Sequence, residues 1–238
     1  MIKGVAFDFD CTLYRRESVW DRLVEGFVDR FESYIDPRLT KADVLAILRQ
    51  GDSEGIANDD TWQGIFGRYI QKGLFAGELS YADFYAFIKA EFPPAIVLHA
   101  DAVDCLGELK RRGLKTAIYT NGLSDYGRLK IRAAGVEPYM DYLLCSEDIG
   151  IAKPDPRGFA VLAEGMGLKA EEILFIGDHP KNDVLGAQKA GMTGVWIKAL
   201  VDWPEEMDPP VYAVGTLGEL PAIVDAINGA GAGVPYEI

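Results

Sequence analysis

The run Ile2-Lys3-Gly4-Val5-Ala6-Phe7 passes directly into Asp8-Phe9-Asp10-Cys11-Thr12, and this junction limits what the chain can fold into. A short, mostly apolar stretch reads as a strand buried in a parallel sheet. Side chains alternate along a strand, so Asp8 and Asp10 leave it on the same side. Two like charges at the end of a buried strand destabilise each other's ionised form. A cation or a proton between them relieves that repulsion. The junction therefore points to metal-assisted acid/base chemistry rather than to fold stability.

With Gly4 to Asp8 as the first strand, four more strand-like runs follow: Lys115 to Thr120, Tyr142 to Cys145, Ile173 to Gly177 and Gly194 to Ile197. Helical patterns lie between the later ones. Val103, Leu106 and Leu109 recur at helical spacing, with Asp101 as N-cap and Gly113 as stop. Asp155-Pro156 opens a helix carrying Phe159, Leu162, Ala163 and Met166, which closes at Gly167. Another runs from about Asn182 to Ala190 and ends at Gly191. Such alternation requires right-handed crossovers and a parallel sheet covered on both faces. The expected fold class is α/β, a Rossmann-like doubly wound parallel sheet, with ligands at the carboxyl ends of its strands.

Residues 14 to 98 break this rhythm and carry helical stripes: Val24, Phe27, Val28 and Phe31; Trp62, Ile65, Phe66, Tyr69 and Ile70; Phe84, Phe87, Ile88 and Phe92. The stripes read as core. An all-helical insertion between the first and second strands would emerge beside the carboxylates, where it can act as a lid. Pro93-Pro94 marks its expected return hinge. The division expected is an α/β core over 1–13 and 99–228, a small helical cap domain over 14–98, and a flexible Gly/Ala-rich tail over 229–238.

Composition narrows the function classes. The 238 residues suffice for a core domain and a smaller one, and 49% hydrophobic with 26% charged residues excludes wholesale disorder. No stretch approaches the ~20 apolar residues of a membrane span. Met1-Ile2-Lys3 leaves no room for a signal peptide before the first strand. Cys11, Cys105 and Cys145 are scattered and unpaired in sequence, as expected of a reduced cytoplasmic protein without a disulfide framework or zinc site. A net charge of -13 argues against nucleic acid or an anionic membrane as partner. An anionic substrate would need positive charge gathered locally, in a metal and a few lysines or arginines.

Four clusters fall at strand ends: Asp8, Asp10 and Thr12; Thr120-Asn121-Gly122; Lys153-Pro154; and Gly177-Asp178-His179-Pro180-Lys181-Asn182-Asp183. Each has a plain structural reading. Thr-Asn-Gly is a turn sequence, Lys153-Pro154 a solvated loop, Asp178 an N-cap, His179 and Lys181 rim residues, and Cys11 a small packing residue. Their order and joint placement on one sheet edge carry the functional reading. A hard cation takes carboxylate oxygens, and a phosphoryl group in transfer takes donors and positive charge around its oxygens.

In these four motifs the chain resembles the haloacid dehalogenase (HAD) superfamily: Asp-x-Asp-x-Thr at Asp8 to Thr12, Thr120 ending the second strand, Lys153 in a Lys-Pro-Asp setting, and Gly177-Asp178 with Asp183. The resemblance covers residues 2 to about 198, and the helical insertion matches the family's cap position. Two departures stand out: Cys11 where the family commonly has Gly or Asn, and His179-Pro180 in the fourth motif.

The resemblance implies a Mg²⁺-dependent phosphatase acting on a small phosphorylated metabolite through an aspartyl-phosphate on Asp8. Phosphoglycolate, nucleoside monophosphates and sugar phosphates fall within that class. Asp10 would be the general acid/base and Lys153 the charge-balancing catalytic lysine. Thr120, the backbone amide near Asn121 and Lys153 would bind the phosphate. Asp8, the Asp10 carbonyl and Asp178 would ligate Mg²⁺, while Asp183 would support the metal through water or orient Lys153. A monomer or homodimer is expected. Arg15 and Arg16 would either reach a substrate anion or lie on a solvated face. The alternatives are a sugar phosphomutase of the same superfamily, a haloacid dehalogenase-type or phosphonatase enzyme, and a silent receiver-like phosphate-binding module. The dehalogenases lack an acid at the position of Asp10, because halide leaves without protonation, and the long insertion is not a receiver feature.

Overall fold

The computed structural model describes residues 1–58 and 61–230. The chain divides into two compact units, Met1–Arg15 with Leu98–Ile238, and Arg16–Val97.

The first unit is built on a parallel sheet of six strands: β1 (Gly4–Phe7), β2 (Lys115–Thr120), β3 (Tyr142–Cys145), β4 (Ile173–Gly177), β5 (Thr193–Ile197) and β6 (Ala213–Val214). Their order is β3-β2-β1-β4-β5-β6, all in parallel register. β1 is central and wholly buried, which is why its sequence is continuous rather than alternating. One sheet face carries Ala6, Ala117, Tyr119, Ile173 and Phe175, packed with Phe159, Leu162 and Met166 of a helix over Pro156–Met166. The α/β class expected of the sequence is the one observed. β6 pairs with β5 through two residues only and has no legible sequence pattern of its own.

The second unit is helical: α1 (Glu17–Phe31), α2 (Lys41–Ala57), α3 (Trp62–Gln71) and α4 (Tyr81–Ala95). Thr40, Thr61 and Ser80 cap α2, α3 and α4 through their hydroxyls. The core is aromatic. Trp20 meets Phe27, Trp62, Tyr69 and Phe92 edge-on at 5.9–6.4 Å, an arrangement that ring quadrupoles favour. Arg16 closes this core from one side. Its guanidinium forks onto Asp52 at 3.0–3.2 Å and lies 4.6 Å from the Trp62 ring centre. Arg16 is therefore neither on a solvated face nor free to take a substrate anion; it is buried against its own unit. Arg15 is exposed.

Several expectations are corrected. Tyr14, Arg15 and Leu98 group with the sheet, because fully buried Tyr14 packs on Phe9 at 5.3 Å and bridges to Leu98. Pro93 and Pro94 lie inside the last turn of α4. Asp101 precedes α5 (Ala102–Arg111) without a capping side-chain bond and accepts from the Gly218 amide instead. Gly229 and Ala230 finish a helix over Leu220–Ala230, so the tail does not begin there; residues 231–238 lie outside the described residues. Among the described residues no helix is long and apolar enough to cross a membrane.

Candidate active site

Chain order reverses around β1. β2 and β3 lie on one side of it and β4, β5 and β6 on the other. Open parallel sheets bind ligands at such a switch point, beyond the carboxyl ends of the strands. Asp8 leaves β1 there, its amide donating to the Ile176 carbonyl of β4 at 2.8 Å. This sets Asp8 beside Gly177 and Asp178.

Lys153 reaches the same point from the loop after α7 (Ser146–Ile149). Its Nζ donates to Asp8 Oδ1 at 2.7 Å and to Asp183 Oδ1 at 2.6 Å. Thr12 donates its hydroxyl to Asp8 Oδ2 at 3.1 Å. The other oxygen of Asp183 accepts the His179 amide at 2.9 Å. Gly177 makes room for Asp183, since a Cβ at position 177 would stand 2.3 Å from the Asp183 carboxyl carbon.

The helix expected from about Asn182 begins instead as a π-helical turn over Pro180–Leu185, followed by α-helix over Gly186–Lys189. Asn182, Asp183 and Val184 are all buried. Three consecutive inward residues do not fit the 100° step of a regular helix, and the wider turn accommodates them. His179 Nδ1 accepts the Asn182 amide at 3.2 Å, so this ring closes the turn. Lys181 is exposed.

Asp8, Asp178 and Asp183 are each less than a tenth exposed, and one oxygen from each lies within 4.8 Å of the others. Three carboxylates against the Lys153 ammonium leave a formal charge of -2 in buried space (three minus one). Burial pushes the Asp8 carboxyl up to about 6, with Lys153 pulling it down and Asp183 pushing it further up. Burial and then the Asp183 charge push Asp178 well above the usual carboxylate range. Lys153 is held above its ordinary value by Asp183 and Asp8, against the opposing effect of its burial. Asp178 Oδ2 is buried and finds no hydrogen-bond donor. An unsatisfied carboxylate oxygen in a negative, oxygen-lined pocket fits a hard divalent cation.

Asp10 is not part of this cluster, although its charge still pushes the Asp8 carboxyl up. The Tyr14 hydroxyl donates to its Oδ1 and the Lys130 ammonium to its Oδ2. Cys11, next to it, adopts φ 63°, in the left-handed region that Gly and Asn enter most easily. Cys11 thus holds a conformation that a side chain other than Gly or Asn enters at a cost.

Thr120 ends β2 on the same sheet edge and is buried. The Asn121 side chain binds both main-chain groups of Lys153: its Nδ2 donates to the carbonyl at 3.1 Å and its Oδ1 accepts the amide at 2.9 Å. That side chain secures the lysine loop. Tyr14 and Lys130 were not foreseen. On α6 (Ser124–Ala133) Arg128 and Arg132 share one face, and Lys130, two residues from each, lies on the opposite, buried one.

The family model for haloacid dehalogenase-like hydrolases matches residues 2–191. The chain belongs to that family, and it is a hydrolase. It is 30% identical to glyceraldehyde 3-phosphate phosphatase of Methanocaldococcus jannaschii, over 96% of this chain and 98% of that protein. It is also 30% identical to an (S)-2-haloacid dehalogenase of a Pseudomonas species, over 87% of each chain. Among solved structures, a HAD phosphatase from Thermococcus onnurineus superposes with a TM-score of 0.65 at 26% identity, covering 94% of this chain and 98% of that one.

Proposed function

We propose that the chain is a Mg²⁺-dependent phosphatase that hydrolyses a small phosphomonoester through an aspartyl-phosphate on Asp8. The observation that carries this reading is Asp8 held by Lys153 and Thr12 inside the buried carboxylate cluster, with an acid two residues further on. Asp8, Asp178 and Asp183 would hold Mg²⁺ together with the Asp10 carbonyl. The bound ion supplies neutralisation and orientation of the phosphoryl oxygens.

The protein groups divide the rest of the work. Lys153 fixes one oxygen of Asp8 and lowers the repulsion between this carboxylate and the phosphate dianion. Thr120 and the Asn121 amide bind phosphoryl oxygens. Asp8 attacks phosphorus, the bond to the ester oxygen breaks with its electron pair on that oxygen, and Asp10 protonates the departing alcohol. Water then attacks the phosphorus of the aspartyl-phosphate, giving its proton to the Asp10 carboxylate. The bond to Asp8 breaks, inorganic phosphate leaves and the Asp8 carboxylate is restored. Residues 16–97 serve as the cap that selects the substrate. A triose phosphate is the leading candidate, on the strength of the glyceraldehyde 3-phosphate phosphatase relative. Cys11, Cys105 and Cys145 are buried and form no disulfide, which fits a reducing cytoplasmic setting.

The dehalogenase relative supports a second reading, which Asp10 disfavours: a halide leaves unprotonated, whereas an alkoxide does not. Phosphate release should be measured from glyceraldehyde 3-phosphate, phosphoglycolate, sugar phosphates and nucleoside monophosphates, with Mg²⁺ or EDTA, beside Asp8→Asn. Release that needs both metal and Asp8 is expected. Halide release from 2-chloropropionate without phosphate release from any ester would replace this function with the dehalogenase one. Isomerisation of a sugar phosphate without release would indicate a mutase.

A further inference from the structure

Lys130 is 5% exposed. Lysines are seldom this buried unless paired, because an ammonium taken out of water is compensated only by close opposite charge. The pairing here is long-range: Lys130, on α6, donates to Asp10 Oδ2 across 120 residues of sequence. Its Nζ lies 5.5 Å from the Phe9 ring centre and 5.4 Å from that of Tyr126. Both rings flank the ammonium and restrict where it can stand. Tyr14 donates to the opposite oxygen, Oδ1, and is itself fully buried. The Asp10 carboxylate thus has a donor on each oxygen, one from the turn after β1 and one from a helix at the far side of β2.

Proton transfer to a leaving oxygen is sensitive to the direction and reach of the acid. A bare Asp side chain on a loop turns freely about its terminal torsion. Two donors from separate elements remove that freedom. We propose that Lys130 is a positioning residue for the reaction, holding the Asp10 side chain, with Tyr14, in the orientation from which its carboxylic acid form gives a proton to the departing ester oxygen. The proposal rests on the phosphatase reading given above.

The test separates positioning from a purely structural role through the leaving group. An alkyl phosphate needs a proton as its alcohol departs, whereas p-nitrophenolate leaves without one. The quantity kcat/KM covers the steps up to that departure, so the ratio of kcat/KM for the two esters reads the acid function directly. Lys130→Met is expected to lower kcat/KM for the best alkyl ester about 10²-fold, the scale of a misplaced catalytic group, and to lower it for p-nitrophenyl phosphate several-fold at most. Tyr14→Phe should move the ratio in the same direction. Lys130→Arg, which keeps a charged donor, should recover a large part of the alkyl activity. Equal losses on both esters, or no loss on either, in a variant with an unchanged melting transition would overturn the proposal. If Lys130→Met does not fold, Lys130→Gln and Lys130→Arg are read by the same ratio. A wild-type protein inactive on both esters would instead sink the phosphatase reading, and the proposal would fall with it.

Discussion

Asp8 meets opposed demands: the fold buries its carboxyl, whereas the proposed attack on phosphorus needs it ionised. Burial, with the charges of Asp183 and Asp10 adding to it and Lys153 opposing it, lifts its carboxyl from 3.8 to about 6. A group whose native pKa is raised binds its proton more tightly folded than unfolded, so stability falls as pH rises through about 4 to about 6 and the full penalty stands above that. Asp8→Asn removes the penalty. In metal-free protein the variant should therefore melt higher than wild type at pH 7, and the difference should shrink as pH falls towards 4. Mg²⁺ should raise the wild-type melting temperature more than that of the variant. Scanning calorimetry from pH 4 to 7, with EDTA and then with Mg²⁺, checks both. Asp148 behaves oppositely, being held down near 2 chiefly by its hydrogen bonds from Arg128; its small, partly solvated contribution is present above about 4 and lost as pH falls towards 2. At Gly177 the constraint is steric. Gly177→Ala places its methyl carbon 2.3 Å from the Asp183 carboxyl carbon, and overpacking of this kind costs about 1–3 kcal/mol. Because Asp183 is what must move, activity and Mg²⁺ affinity should fall in the same variant, measurable by urea melts and isothermal titration.

Among the elements, α2 was the least legible in sequence. Its buried positions are Val44, Leu48, Gly51, Asp52 and Gly55, with only two large apolar residues to signal a stripe. The glycines act by absence: a Cβ at 51 would meet the Tyr69 ring at 2.7 Å, and one at 55 would meet Ile65 at 2.4 Å. Asp52 is buried because Arg16 is. The helices rich in aromatic residues were legible, since their side chains recur with the helical period. Trp20 is the common neighbour of four rings, and Trp20→Ala should destabilise the helical unit by about 3–5 kcal/mol, read as a lowered urea midpoint in near-ultraviolet circular dichroism.

For the whole molecule, a net charge of -13 opposes the approach of a phosphate dianion. Salt screens that repulsion over about 10 Å at 0.1 M. The second-order rate kcat/KM for an anionic ester should therefore rise as KCl goes from 10 to 150 mM, by about threefold at most, at saturating Mg²⁺. A fall over that range would mean that local positive charge governs capture. The insertion of Arg16–Val97 between β1 and β2 lengthens the connection between neighbouring strands, yet closure entropy grows only with the logarithm of loop length, about 0.6 kcal/mol per doubling.

The sequence by itself determined five of the six strands, their parallel arrangement and the four strand-end motifs. Each of these depends on local pattern: apolar runs of strand length, capping residues, and side chains fixed by position relative to a strand end. Tertiary structure alone decided what the charges do. Nothing local marks Lys130 as a partner of Asp10, and although its motif singles out Lys153, only the fold shows it bridging Asp8 and Asp183. Arg16 likewise reads as a solvated base until Asp52 is found against it. An ionised side chain takes its energy from what surrounds it in space, from the depth of its burial and the charge it faces. Those partners lie from 30 to 145 residues away along the chain.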